Sequence, residues 1–264
     1  MYFVGVDLAW SDRNTTAVAV AAGDGQDASL PHCKSELRSN RDIADFIDQC
    51  VGSAPAIVAI DAPLKVPNEM GPRPVDRRIT EVFGQFEAGA FPANRSRLGG
   101  GVRGESVVQH LLERGFIHNP RLKQYDKRRI LFEVYPHTAM VSLFYLDKTL
   151  KYKARKGRSY ECRYEEYKRY QEYLRGLANS EPKLTPDEES LAKEVSSLRG
   201  KGLKSYEDLL DAIFCAYVAY YVWYWGPERY EIFGDEYHGY ILVPMTPWMR
   251  AQLYSSPQIH LVQE

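Results

Sequence analysis

The sequence predicts an α/β protein: a mixed sheet of five strands flanked by helices, with a helical insertion at about 148–204 and a C-terminal β-hairpin, in a single domain over 1–264. Three observations predict it. β-rich runs at 3–10, 15–22, 56–64 and 130–137 are interleaved with stretches of helical periodicity. Two of those runs carry an acid among small residues. The longest apolar run, "AIFCAYVAYYVWYW" at 212–225, has 14 residues, too short to span a bilayer and suited to a buried core helix.

Taken in order, "FVGVDLAW" (3–10) reads as an apolar strand with Asp7 in its middle, followed by the turn residues "SDRN" and the strand "TTAVAVAA", hence a hairpin. "GDGQDASLPH" reads as a loop and "CKSELRS" as an edge strand. In "SNRDIADFIDQC", Ser39 and Asp42 stand at capping-box spacing, and Ile43, Phe46, Ile47 and Cys50 recur at i, i+3, i+4 and i+7, an amphipathic helix. "AIVAIDAPL" (56–64) is a buried-type strand stopped by Pro63. "PVDRRITEVFGQF" and "SVVQHLLERG" read as helices, "ILFEVYPH" (130–137) as a strand and "TAMVSLFYLD" as a helix. Beyond 148 the chain turns charged and helical: Tyr160, Tyr164, Tyr167, Leu174 and Leu177 mark one stripe, and Thr185, Pro186 and Glu188 supply N-cap, N1 and N3 of another helix. Ser205 and Asp208, again at capping-box spacing, open the last major helix, and "YEIFGDEYHGYILVPM" closes as a hairpin.

A net charge of -1 gives no global attraction to nucleic acid or anionic membrane, so a polyanion would have to be gripped by local patches. Cys33, Cys50, Cys162 and Cys215 show neither C-x-x-C spacing nor a disulfide framework, which fits a reducing cytoplasm. There is no signal-peptide pattern, and no membrane association is expected.

Chemistry concentrates in the acids. On alternating strands Asp7 shares a face with Gly5 and Ala9, and Asp61 with Ala59 and Pro63, so each carboxylate has space beside it for a hydrated Mg²⁺ and a phosphate. Asp211 lies in a helix too apolar to be exposed on most sides, with Asp208 three residues earlier on the same face. Acids that converge raise one another's pKa unless cations neutralise them, and a two-metal site about 3.5–4 Å across is their usual chemical use. Each acid also has a simpler reading. Asp208 alone is explained by capping, Asp7 by a Lys or Arg partner, Asp61 by a turn near Pro63, and Glu133 by the solvent end of a ladder. Their conjunction carries the argument.

The motifs "VGVDLAW", "AIDAPL", "FEVYPH" and "DLLDAIFCAYVAY" together resemble the DUF429 family of predicted ribonuclease H-like nucleases, over most of the chain outside 148–204. "D-x-x-D-A" at 208–212 is also similar to the last helix of Holliday-junction resolvases. The resemblance implies a ribonuclease H-like sheet, Asp7, Asp61 and Asp211 as catalytic metal ligands with Asp208 or Glu133 as the fourth, and two Mg²⁺ or Mn²⁺ ions. The implied reaction is hydrolysis of a phosphodiester in nucleic acid or a smaller substrate.

Phosphates would need further cations. Arg73 and Arg77 follow the second acidic strand, and "DKTLKYKARKGR" (147–158) carries Lys153 and Arg155 beside Tyr152 and Tyr160, which can stack on bases. His137 is a candidate base or supporting group; a lone histidine there is more often structural. "LGGGVRG" is not followed by Gly-Lys-Ser/Thr, so no Walker-type loop is expected. Two rivals remain: a non-catalytic nucleic-acid or protein binding module on the same fold, and a phosphotransferase of the actin and sugar-kinase type. The latter duplicates its core, for which 264 residues with one clear copy are too few.

Overall fold

Which residues of the first strand face the chemistry is decided by what packs on each side of the sheet. The computed structural model describes residues 1–11 and 14–254; two residues of the expected "SDRN" turn, 12 and 13, lie outside it. The elements run β1 (Tyr2–Asp7), β2 (Thr16–Gly23), β3 (Asp27–Leu37), α1 (Asn40–Val51), β4 (Ala56–Asp61), α2 (Pro74–Phe83), α3 (Arg103–Leu112), β5 (Ile117–His118), β6 (Arg129–Glu133) and α4 (Pro136–Leu143). They continue as α5 (Tyr160–Gly176), β7 (Lys183–Thr185), α6 (Glu188–Leu191), α7 (Gly200–Trp225), β8 (Tyr230–Asp235), β9 (Gly239–Pro244) and α8 (Pro247–Tyr254).

The central sheet has the order β5-β6-β4-β1-β2-β3-β7. It is mostly parallel: β2 runs antiparallel to both β1 and β3, and the other neighbouring pairs are parallel. Its seven strands exceed the five expected because β5 and β7, of two and three residues, are too short to announce themselves by alternation. The C-terminal hairpin, β8 with β9, stands as expected.

Helices cover both faces. Val4, Val6, Val18, Val58 and Ile60 pack with Ile43 and Ile47 of α1 and Val107 and Leu111 of α3. Phe3, Ala17, Ala19, Ile57 and Ala59 face α7, which is buried along most of its length. Burying each such aliphatic side chain is worth about 1.5–3 kcal/mol. Small residues on the α7 face let the helix approach closely. At Gly5 the approach is closest: a Cβ there would stand 2.0 Å from the Ala212 carbonyl oxygen and 2.2 Å from the Ala216 nitrogen. Glycine at position 5 therefore lets α7 lie directly against β1, which brings Asp211 down beside Asp7.

Several boundaries differ from the sequence expectation for identifiable reasons. β1 ends at Asp7, so the acid terminates the strand and does not sit in its middle. The segment expected as a loop before "CKSELRS" is the first half of β3, and β7 covers its edge. The strand expected over 130–137 stops at Glu133 because Pro136 starts α4 at its first turn. The charged segment 148–204 is not wholly helical, since β7 lies in it. Thr185 closes that strand, and α6 is a four-residue helix capped by Asp187, which accepts from the Glu189 and Ser190 amides. The cap at Ser39 is as expected, with the Asp42 amide 2.9 Å from its hydroxyl oxygen. The start of α7 is not: it begins at Gly200, so Ser205 and Asp208 lie inside the helix and the capping explanation of Asp208 falls.

Candidate metal centre

Asp7 and Asp61 are the last residues of β1 and β4, and they are register partners in that parallel pair. Odd-numbered residues of both strands face α7, so both carboxylates rise from the sheet toward the same helix. Asp211 descends from it. Among the described residues, one carboxylate oxygen from each of the three lies within 4.8 Å of the others, with Asp7 and Asp211 buried and Asp61 half-buried.

Each acid is fixed differently. The Tyr152 and Tyr170 hydroxyls donate to Asp211 Oδ1 at 2.7 and 3.1 Å, which turns Oδ2 toward the cluster, where the Lys153 ammonium stands 2.9 Å away. Asp7 Oδ2 is buried and accepts no hydrogen bond. Asp208, one turn before Asp211, pairs with Lys204 at 2.6 Å and lines, with Asp7 and Asp61, a cavity that opens beside the cluster. Lys204 also donates to Glu207 at 2.7 Å, and Glu207 is held by the Tyr167 hydroxyl at 2.8 Å and lies 3.6 Å from Arg163.

Burial dominates the electrostatics. It drives the Asp7 carboxyl well above the usual carboxylate range and the Asp61 carboxyl up to about 7; Lys153 opposes both shifts and Asp211 reinforces them. Burial also raises Asp208, against the pull of Lys204. For Lys153 burial works against the charge, but Asp211, Asp61 and Asp7 outweigh it and hold the ammonium well above its ordinary value. With Glu207 matched to Arg163, four aspartates face the ammonium groups of Lys153 and Lys204. One divalent ion would balance the remaining charge. A set of carboxylate oxygens this close together could hold a metal ion, and the Asp7 oxygen that accepts no hydrogen bond is available as a ligand atom.

The other sequence candidates go elsewhere. Glu133 is not part of the cluster: Arg73 donates to both its oxygens, at 3.0 and 2.6 Å, and the Leu64 amide donates to it at 2.8 Å. Arg73 is buried between Glu133 and Asp76, so it has no surface to offer a substrate. Arg77 donates to the Pro72 carbonyl on the exposed side of α2, and Arg155 is exposed; neither lines the cavity. Lys153 does line it. His137 also does, its Nδ1 2.9 Å from the Thr149 hydroxyl, and burial with Lys153 nearby lowers its pKa to about 3, leaving it neutral.

The sequence reading missed Lys204 and Glu207, although Lys204 to Asp208 is an i, i+4 pair visible once α7 is begun at Gly200. It also missed Trp10, Arg38, Phe91 and Lys201, which with Arg97 form the mouth of the cavity. The four cysteines are unbridged, and among the described residues no helix is long and apolar enough to cross a membrane.

Comparison with curated proteins and with solved structures gives no match. The family model described as "Protein of unknown function (DUF429)" matches residues 5–237, a span that takes in all four aspartates of the centre. The chain therefore belongs to the DUF429 family.

Proposed function

We propose that this protein hydrolyses phosphodiester bonds with Mg²⁺ or Mn²⁺ held by Asp7, Asp61 and Asp211, on a ribonuclease H-like core in the cytoplasm. The observation that carries the reading is the convergence of three carboxylates within 4.8 Å, from two adjacent strand ends and the helix across them. That is also the chain order of acids set out by the resemblance: first strand, fourth strand, last long helix. Bound ions at such a site activate a water and stabilise a leaving oxygen. The protein's own part is to hold the ligands rigidly. Asp7 and Asp61 are fixed by strand pairing, and Asp211 by the two tyrosine hydroxyls, whose phenols burial and the aspartate keep protonated and donating. Asp208 is the better placed fourth acid, since Glu133 is committed to Arg73. The two-ion arrangement implied by the resemblance requires Lys153 to give way, because the charge present balances one ion.

The test is a panel of single strands, duplexes, RNA–DNA hybrids, junctions and bis(p-nitrophenyl) phosphate, each with Mn²⁺ and with EDTA. Metal-dependent cleavage that disappears in Asp7→Asn is the expected result. Cleavage that survives the substitution, or none on any substrate, sinks the reading. One observation favours a second reading, a non-catalytic scaffold: Lys153 already neutralises part of the cluster. In that case Mn²⁺ leaves the stability of the protein unchanged.

A further inference from the structure

The cavity above the acids encloses about 630 Å³, more than ions and one phosphate need and within the range of about 300–1,000 Å³ typical of small-ligand sites. Its mouth differs in chemistry from its floor. Trp10 meets Phe91 edge-on, with ring centroids 6.3 Å apart and planes at 77°, and the Arg97 guanidinium lies 4.5 Å over the Phe91 ring. Phe91 is 60% exposed, a large aromatic left in water at the entrance to a polar cleft. Arg38, Arg97 and Lys201 line the same cavity, and none has a carboxylate partner among the described residues.

This mouth is held in place. Arg103 donates to the carbonyls of Ala9 and Ser11 at 2.9 and 3.0 Å and also to that of Arg38, tying the backbone that carries Trp10 to the backbone that carries Arg38. Trp10 follows Asp7 by three residues, so the two Cα atoms are at most about 11 Å apart, and both side chains line the same cavity. By contrast, much of the basic stretch at 148–158 already has partners within the chain. Lys148 and Lys151 pair with Glu87, and Arg158 donates to the Lys153 carbonyl.

Resting on the phosphodiester reading above, we propose that the mouth is a nucleotide subsite for a substrate of dinucleotide size. Trp10 and Phe91 take a base, and Arg38, Arg97 and Lys201 hold the phosphates beside the acids. Stacking needs no sequence readout because every base has a π-face, so the subsite selects for a base-bearing phosphodiester without choosing the base. A duplex, whose bases are already stacked on one another, gains nothing there.

Calorimetric titration of Asp7→Asn with the dinucleotide dApdA, adenosine, inorganic phosphate and a 20-base-pair duplex tests this, with folding of every variant checked by circular dichroism. The dinucleotide is expected to bind at least about tenfold more tightly than phosphate or adenosine, with no further gain for the duplex, and adding Trp10→Ala or Arg97→Gln to Asp7→Asn is expected to weaken it about 5- to 100-fold. Equal binding of dinucleotide and phosphate, tighter binding of the duplex, or indifference to both substitutions overturns the subsite. The two readings fail separately. Metal-dependent hydrolysis of bis(p-nitrophenyl) phosphate without dinucleotide preference removes only the subsite, whereas dinucleotide binding at Trp10 with no hydrolysis by the wild-type protein removes only the phosphodiesterase.

Discussion

The Lys153 ammonium stands 2.9 Å from Asp211 Oδ2, the one oxygen of that carboxylate not taken by a tyrosine hydroxyl. Lys153 thus acts as a cation supplied by the chain itself to a cluster of acids that strand pairing and helix packing force together. The loop that carries it is anchored to α5: Glu166 accepts from the Lys151 amide at 2.7 Å, and Arg163 donates to the Tyr152 carbonyl at 2.8 Å.

Replacing Lys153 by Met therefore removes charge compensation while keeping much of the side chain's volume. Breaking a buried pair from one side costs about 3–5 kcal/mol. The Lys153 side chain is 30% exposed, so solvent screening brings the expected loss to about 1–3 kcal/mol in EDTA. Saturating Mn²⁺ is expected to narrow the deficit, and a second ion to bind more readily than in the wild type. Denaturant unfolding with and without metal, together with Mn²⁺ titration, measures both. A deficit unchanged by Mn²⁺ would show that the ion and the lysine do not share the site.

The acids also set a pH dependence whose sign is fixed. Asp61 rises from its ordinary 3.8 to about 7, and Asp7 moves in the same direction. Without metal the folded state binds more protons than the unfolded chain between those values, so stability contributed by the protonated acids is full below about pH 4 and is lost as pH climbs toward 7. A divalent ion displaces those protons, so its stabilisation grows over the same window. At a concentration 100 times its Kd an ion adds about 2.7 kcal/mol, or roughly 5–10 °C in Tm for a chain of this size. That increment is expected at pH 8 and should be small at pH 5. Thermal melts with Mn²⁺ across the range decide it, and a shift that is flat or shrinks with pH contradicts carboxylate ligation.

The site was legible from the sequence where alternation and small neighbours spoke together. Asp7 with Gly5 and Asp61 with Ala59 could be assigned to one face, and Asp211 could be assigned to a helix needing a partner for its charge. What was not legible depends on distant chain segments. Nothing local distinguishes Asp208 as a cap from Asp208 as a wall of the cavity until the start of α7 is known, and two glycines at 200 and 202 hide that start. Likewise Glu133 looks like a fourth ligand on its strand, but Arg73, sixty residues away in sequence, turns out to be its partner. β5 and β7 are defined by the strands they join, not by their own residues.

Glu133→Gln separates structure from chemistry. Both Glu133 oxygens accept from Arg73, and Arg73 in turn reaches Asp76 at 2.8 Å, all fully interior. Removing one charge leaves a buried guanidinium short of a partner, an expected loss of about 3–5 kcal/mol. Because Glu133 lies outside the aspartate cluster, Mn²⁺ affinity and the rate per folded molecule are expected to stay within twofold of wild type. A variant that remains stable but loses metal binding would return Glu133 to the ligand set.

Gly5→Ala tests the geometry that assembles the centre. The added methyl would meet the Ala212 carbonyl oxygen and the Ala216 nitrogen at 2.0 and 2.2 Å, which are backbone atoms of a helix and cannot rotate away. Relief requires α7 to lift from β1, and Asp211 sits one residue from the contact. Overpacking of this kind costs about 1–3 kcal/mol or more, so unfolding at lower denaturant is expected. A lifted helix also widens the distance between Asp211 and the two strand-end carboxylates, so Mn²⁺ should bind more weakly in the fraction that remains folded. Unchanged metal affinity in a destabilised Gly5→Ala protein would mean that β1 yields and α7 holds, and that Asp211 is positioned by Tyr152 and Tyr170 alone.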